Sequence, residues 1–105
     1  MQLGYHRARR YSFRASIELT DLRSETQTKE QTSDLSLFGC HVATLKPLPP
    51  GTKVRIKIFH RSESLEALGS VAFVRPNAGM GIFFTRVGPH DQLVLDKWIA
   101  ELRDQ

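Results

Sequence analysis

The sequence predicts a mostly β fold, a six-stranded antiparallel β-barrel followed by one C-terminal α-helix. Three observations carry that reading: period-two alternation recurs from Phe13 to Phe84, turn residues punctuate it at short intervals, and helical periodicity begins only after Gly88-Pro89. Closure follows because short antiparallel strands leave unpaired edges unless the sheet joins itself, and because the helix carries an apolar stripe that must cover something.

The first strand starts at Phe13, with Phe13, Ala15, Ile17 and Leu19 on one side and Arg14, Ser16, Glu18 and Thr20 on the other. Residues 25–33, ETQTKEQTS, are polar and Thr-rich, which fits an exposed edge strand or a loop. DLSLFG, residues 34–39, leads into a second β-like run, CHVAT, and KPLPPG at 46–51 is a rigid turn. KVRIKIF, residues 53–59, alternates cleanly, with Val54, Ile56 and Ile58 inward and Lys53, Arg55 and Lys57 outward. After the polar turn HRSES comes SLEALGSVAFV, residues 64–74, with Gly69 as a bend or bulge. RPNAG then turns the chain into MGIFF, residues 80–84. Asp91 is placed to cap a helix of about 90–103, along which Val94, Leu95, Trp98, Ile99 and Leu102 form the stripe.

At 105 residues the chain holds one domain with one modest core, and we divide it into a flexible basic arm, 1–12, and a barrel with its helix, 13–105. No apolar run approaches a membrane span and no secretory signal opens the chain, so the expected location is cytoplasmic. The single cysteine, Cys40, cannot form an internal disulfide and reads as a small core residue. His6, His41, His60 and His90 lack the spacing and neighbours of a metal site, so neither a metal nor a cofactor is expected.

Charge is informative once located. Residues 1–14 hold Arg7, Arg9, Arg10 and Arg14 and no acid, and the other 91 residues carry eleven charges of each sign. The whole net charge of +4 therefore lies in the arm. A balanced body with one basic arm points to a localised anionic ligand and away from a broad nucleic-acid face. Arg10 and Arg14, four apart on an extended approach, project to one side about 13 Å from each other. Guanidinium forks onto phosphate, pairs with guanine O6 and N7 and stacks on a purine, and the arm contains no lysine. In DLSLFG, Asp34 and Ser36 face one way while Leu35 and Leu37 can face the core, and Gly39 permits a positive φ or a close approach. A carboxylate accepts from guanine N1 and N2, and the arginines and hydroxyl donate. The two stretches are complementary halves of a guanine-phosphate site. As purely structural alternatives, the arm is a solvated basic tail and Asp34, Ser36 and Gly39 build a turn.

R-x-x-x-R (Arg10, Arg14), followed about twenty residues later by D-x-S-x-x-G (Asp34, Ser36, Gly39), resembles the motif pair of the PilZ domain, a bacterial receptor for the second messenger cyclic di-GMP. The likeness covers nearly the whole chain and includes Gly69-Ser70-Val71 and GMGIFF at 79–84. It implies that Arg10 and Arg14 grip phosphates and guanine edges or faces, that Asp34 accepts from a guanine, and that Ser36 contacts the ligand near the phosphates, with Gly39 in the same binding loop. Arg9 would add a third guanidinium able to stack on a guanine, an arrangement that favours two mutually intercalated ligands. The resemblance also brings Phe73 and Arg75 toward the ligand, their alternatives being core packing and a turn-edge charge.

The expected function is thus a cyclic di-GMP receptor that orders its arm on binding and signals to a protein partner. Two alternatives come from other classes: a small barrel that binds nucleic acid through its basic arm and the row Lys53, Arg55 and Lys57, or a nucleotide-independent protein-interaction module. Enzymatic activity is not expected, since no nucleophile with its base, paired carboxylates or phosphate-cradling loop emerges.

Overall fold

The computed structural model describes residues 8–105. Seven strands and one helix follow in order: β1 (Tyr11–Ser12), β2 (Ser16–Asp21), β3 (Thr26–Leu35), β4 (Gly39–Ala43), β5 (Lys53–His60), β6 (Glu63–Arg75), β7 (Gly79–Val87) and α1 (Pro89–Arg103). All pairings are antiparallel, in the order β1-β3-β2-β5-β6-β7-β4, and a further pairing of β3 with β4 closes the sheet. Strands β2 to β7 are thus a six-stranded barrel, with β1 as an extra strand beside the end of β3.

The extra strand falls within the last residues of the basic arm: Tyr11 pairs with Leu35 and Ser12 with Asp34. Residues 1–7, with Arg7 and His6, lie outside the described residues. The Thr-rich stretch is a long strand with neighbours on both sides, not a loop or free edge, because β4 and β1 cover the side that β2 leaves open. Gly69 does mark a bulge, the register of β6 against β7 slipping between Leu68 and Gly69. In the turn before β7, Asn77 takes φ of 64°, a left-handed conformation that its short polar side chain tolerates.

Inward side chains fill the barrel as the alternation requires: Ile17, Leu19, Leu35, Val42, Val54, Ile56, Ile58, Leu65, Val71, Met80 and Ile82 are all essentially removed from water. Cys40 is fully buried among them, and burial, aided by the Asp34 charge, pushes its thiol pKa up to about 12. The helix buries Val94, Leu95, Trp98 and Ile99. Trp98 packs 5.6 Å from the Phe13 ring and edge-on to His60 at 5.3 Å, while its Nε1 donates to Glu63 Oε1. Phe13 lies between the two motif arginines, so the helix is seated directly on the segment that carries them.

The expected Asp91 cap is corrected. The N-cap is Gly88, with Pro89 in the first turn where a missing N–H costs nothing. Asp91 lies within the first turn, where its Oδ1 accepts the Glu66 backbone N–H at 2.9 Å and ties helix to barrel.

At Lys57 the outward row of β5 is electrically interleaved. Across neighbouring strands, Lys29, Glu18, Lys57 and Glu66 stand in register and alternate in sign.

Candidate functional site

The two sequence motifs meet because the segment at Arg10 to Ala15 runs antiparallel to residues 32–35. Thr32, buried, organises the crossing: its hydroxyl donates to the Phe13 carbonyl at 2.5 Å and accepts the Ala15 N–H at 3.0 Å. The β3–β4 register slips between Thr32 and Asp34, so the chain bends where Asp34 begins the motif loop.

Asp34 works in two directions. Its Oδ1 accepts the His41 N–H at 3.0 Å, and its Oδ2 lies 3.9 Å from Arg10 Nη1. The Arg10 guanidinium also stands 5.9 Å from the centroid of Phe73, while Arg75 approaches the same ring at 5.4 Å. Phe73 pairs with Gly81 across β6 and β7, and a Cβ at Gly81 would lie 2.4 Å from the ring. The glycine is what lets the ring lie down on the strand.

Ser36 is buried and turned into its own loop, donating to the Gly39 carbonyl at 3.3 Å and accepting the Phe38 N–H at 3.1 Å. Gly39 is needed for close approach and not for a positive φ: a Cβ there would lie 2.1 Å from the Ile82 carbonyl oxygen, and Gly39 is absent from the positive-φ residues. The Phe38 carbonyl accepts from Phe84 N–H at 2.8 Å, which fixes the loop against β7.

Together these groups border a cleft of about 500 Å³, a size suited to a small ligand. Arg10, Ser36, Gly39, Phe73 and Arg75 line it, with Phe38, Gly81 and Phe83 alongside. Three expected residues lie off its lining: Asp34, which meets the cleft through Arg10, and two arginines that stand further apart. Arg9 is exposed and stacks on Tyr11, 5.3 Å from its centroid. Arg14 is exposed beyond the cleft lining and has no ion pair among the described residues.

Sequence reading missed His41 and the pair Phe38 and Phe83. The His41 ring stacks under Phe73 with centroids 6.3 Å apart, and its Nδ1 shares a 2.7 Å hydrogen bond with Ser33 Oγ. Its Nε2 is buried without a partner. Burial lowers its pKa below the ordinary 6.5, a pull that outweighs the opposing Asp34 charge and to which Arg75 and Arg10 add. Phe83 was legible from period two, since Met80, Ile82 and Phe84 point inward and leave an aromatic facing water.

A closed six-stranded barrel with a seated C-terminal helix, carrying an arginine beside a carboxylate and an aromatic platform, defines a small-ligand binding module. The chain belongs to the PilZ domain family, whose match extends over residues 5–101. Among solved structures it is similar to the PilZ domain of YcgR from Escherichia coli with c-di-GMP, at 18% identity and a TM-score of 0.72, covering 94% of this chain and 92% of that one. It is also similar to the PilZ domain of CeSA from a cellulose-synthesizing bacterium, at 18% identity and a TM-score of 0.69, covering 91% and 99%. A third likeness is to the Bacillus subtilis inhibitor of motility MotI/DgrA, at 14% identity and a TM-score of 0.74, covering 94% of this chain. The present chain spans about half of that protein, 51% of its length. No curated protein matches by sequence.

Proposed function

We propose that the chain is a cyclic di-GMP receptor that signals to a protein partner from the cytoplasm. The observation that carries this reading is the setting of Arg10, which lies at the same cleft as the D-x-S-x-x-G loop, 3.9 Å from the Asp34 carboxylate and over the Phe73 ring. Membership of the PilZ family and likeness to a PilZ domain with c-di-GMP support the choice of ligand.

In this reading Arg10 and Arg14 take phosphate oxygens and guanine edges, with Arg14 swinging in from its exposed position, and Arg9 leaves Tyr11 to stack on a base. Asp34 exchanges its long contact with Arg10 for guanine N1 and N2 donors. Ser36 and Gly39 hold the loop in shape, Phe73 offers a face to a base, and Arg75 adds charge beside it. The function is binding and not turnover. Output runs through the arm: β1 is already paired with β3, and engagement of Arg9, Arg10 and Arg14 by the nucleotide alters the surface that a partner meets. No helix among the described residues is long and apolar enough to cross a membrane.

The test is isothermal titration with cyclic di-GMP, with GTP and a single-stranded oligonucleotide as competitors and Arg10→Ala/Arg14→Ala as the control. Saturable heat that the double variant abolishes is the expected result, and the inflection gives one or two nucleotides per chain. Absence of heat and of competition at high protein concentration refutes the receptor reading. Unchanged proteolysis of the arm on saturation refutes the arm mechanism alone.

A further inference from the structure

Phe73 offers one aromatic face to the cleft, yet a cyclic dinucleotide carries two bases. Phe38 and Phe83 are the other aromatic groups on the cleft lining, and they are 51% and 53% exposed. Neither exposure is accidental. Phe83 stands two residues past Gly81 on the outer face of β7, about 7 Å along the strand from the glycine that the Phe73 ring covers. Phe38 is held beside it by backbone: its N–H goes to Ser36 Oγ, its carbonyl takes the Phe84 N–H, and the following Gly39 pairs with Phe83. The motif loop that positions Asp34 therefore also positions an exposed ring.

We infer that Phe38 and Phe83 form a second base-contacting wall of the cleft, a binding surface for the guanine of a cyclic dinucleotide that Phe73 does not cover. The inference rests on the receptor reading above. Both rings sit on backbone fixed by hydrogen bonds, so little ordering cost attaches to using them. Every base presents a π-face, and covering a ring of this kind with a base is worth about 5- to 150-fold in affinity. The wall adds affinity without charge, and its contribution is insensitive to salt where that of the arginines is not.

The experiment titrates cyclic di-GMP into the wild type, Phe38→Ala, Phe83→Ala, Phe38→Tyr and Arg10→Ala/Arg14→Ala at two salt concentrations, with thermal unfolding of each variant as the folding control. The expected result is weakening of about 5- to 150-fold in each alanine variant. Phe38→Tyr should restore affinity, and the salt dependence of the alanine variants should match that of the wild type. If the wild type binds and both alanine variants bind equally well, the wall is overturned while the receptor reading stands. If the wild type itself does not bind, both fall together. Weakening that tracks lowered unfolding temperature, with no rescue by tyrosine, assigns the rings to folding and also overturns the wall.

Discussion

Replacing Gly39 by alanine tests why the binding loop ends in a glycine. The added Cβ would meet the Ile82 carbonyl oxygen at 2.1 Å, the Ile82 carbonyl carbon at 3.2 Å and Phe83 Cα at 3.3 Å. A carbon and a carbonyl oxygen settle at about 3.3–3.6 Å, so β4 must retreat from β7 by about 1.2 Å. All three obstacles are backbone, and no side chain can swing away to relieve them. A retreat of that size stretches the 2.8 Å bond from Phe84 N–H to the Phe38 carbonyl beyond hydrogen-bonding range. Overpacking of this kind, with a ladder bond weakened, costs about 2–4 kcal/mol. For a domain of this size that lowers Tm by about 8–30 °C in a calorimetric or circular-dichroism melt. The loop carrying Asp34, Ser36 and Phe38 shifts with the strand, so nucleotide affinity should fall as well. A Gly39→Ala variant that melts within about 3 °C of the wild type would refute the close-approach argument.

Three further outcomes follow from titratable groups. Cys40, fully buried with its thiol pushed up to about 12, should resist alkylation at pH 8 in the native state and react only as fast as the barrel opens, read by mass spectrometry against a urea-unfolded control. His41 has a folded pKa below its ordinary 6.5, so the unfolded chain takes its proton first; stability should fall as pH drops below 6.5, level off below the folded value, and lose that slope in His41→Gln. Glu63 is held below its ordinary 4.5, chiefly by the hydrogen bond from Lys97, so its contribution is present above 4.5 and lost as pH falls through the folded value; Glu63→Gln should flatten acid unfolding in that window.

Most of the barrel was legible because alternation is a direct consequence of strand geometry. KVRIKIF and the run from Phe13 to Leu19 place their apolar residues inward as period two demands. The Thr-rich strand was ambiguous because its side away from β2 is covered by β4 and β1, a pairing that only the closed sheet brings about. Asp91 misled because a cap and a tether look alike in sequence; only the fold brings the Glu66 N–H to it. At the site, residue types announced Arg10, Asp34 and the glycine loop, but not that Ser36 turns inward or that Arg14 stands apart. His41 gave no signal, since a histidine beneath an aromatic platform is defined by a contact between β4 and β6.

The strand order carries one more consequence. Strands β2, β3 and β4 are consecutive neighbours, as are β5, β6 and β7, so the barrel consists of two three-stranded meanders joined along two seams. One seam, β2 with β5, has six residue pairs in register; the other, β4 with β7, has four. The cleft straddles the shorter seam, with Gly39 and Phe38 from one meander and Gly81, Phe83 and Phe73 from the other. In the proposed reading a nucleotide held there is a staple across the shorter joint, and its binding stabilises the closed barrel over the open chain.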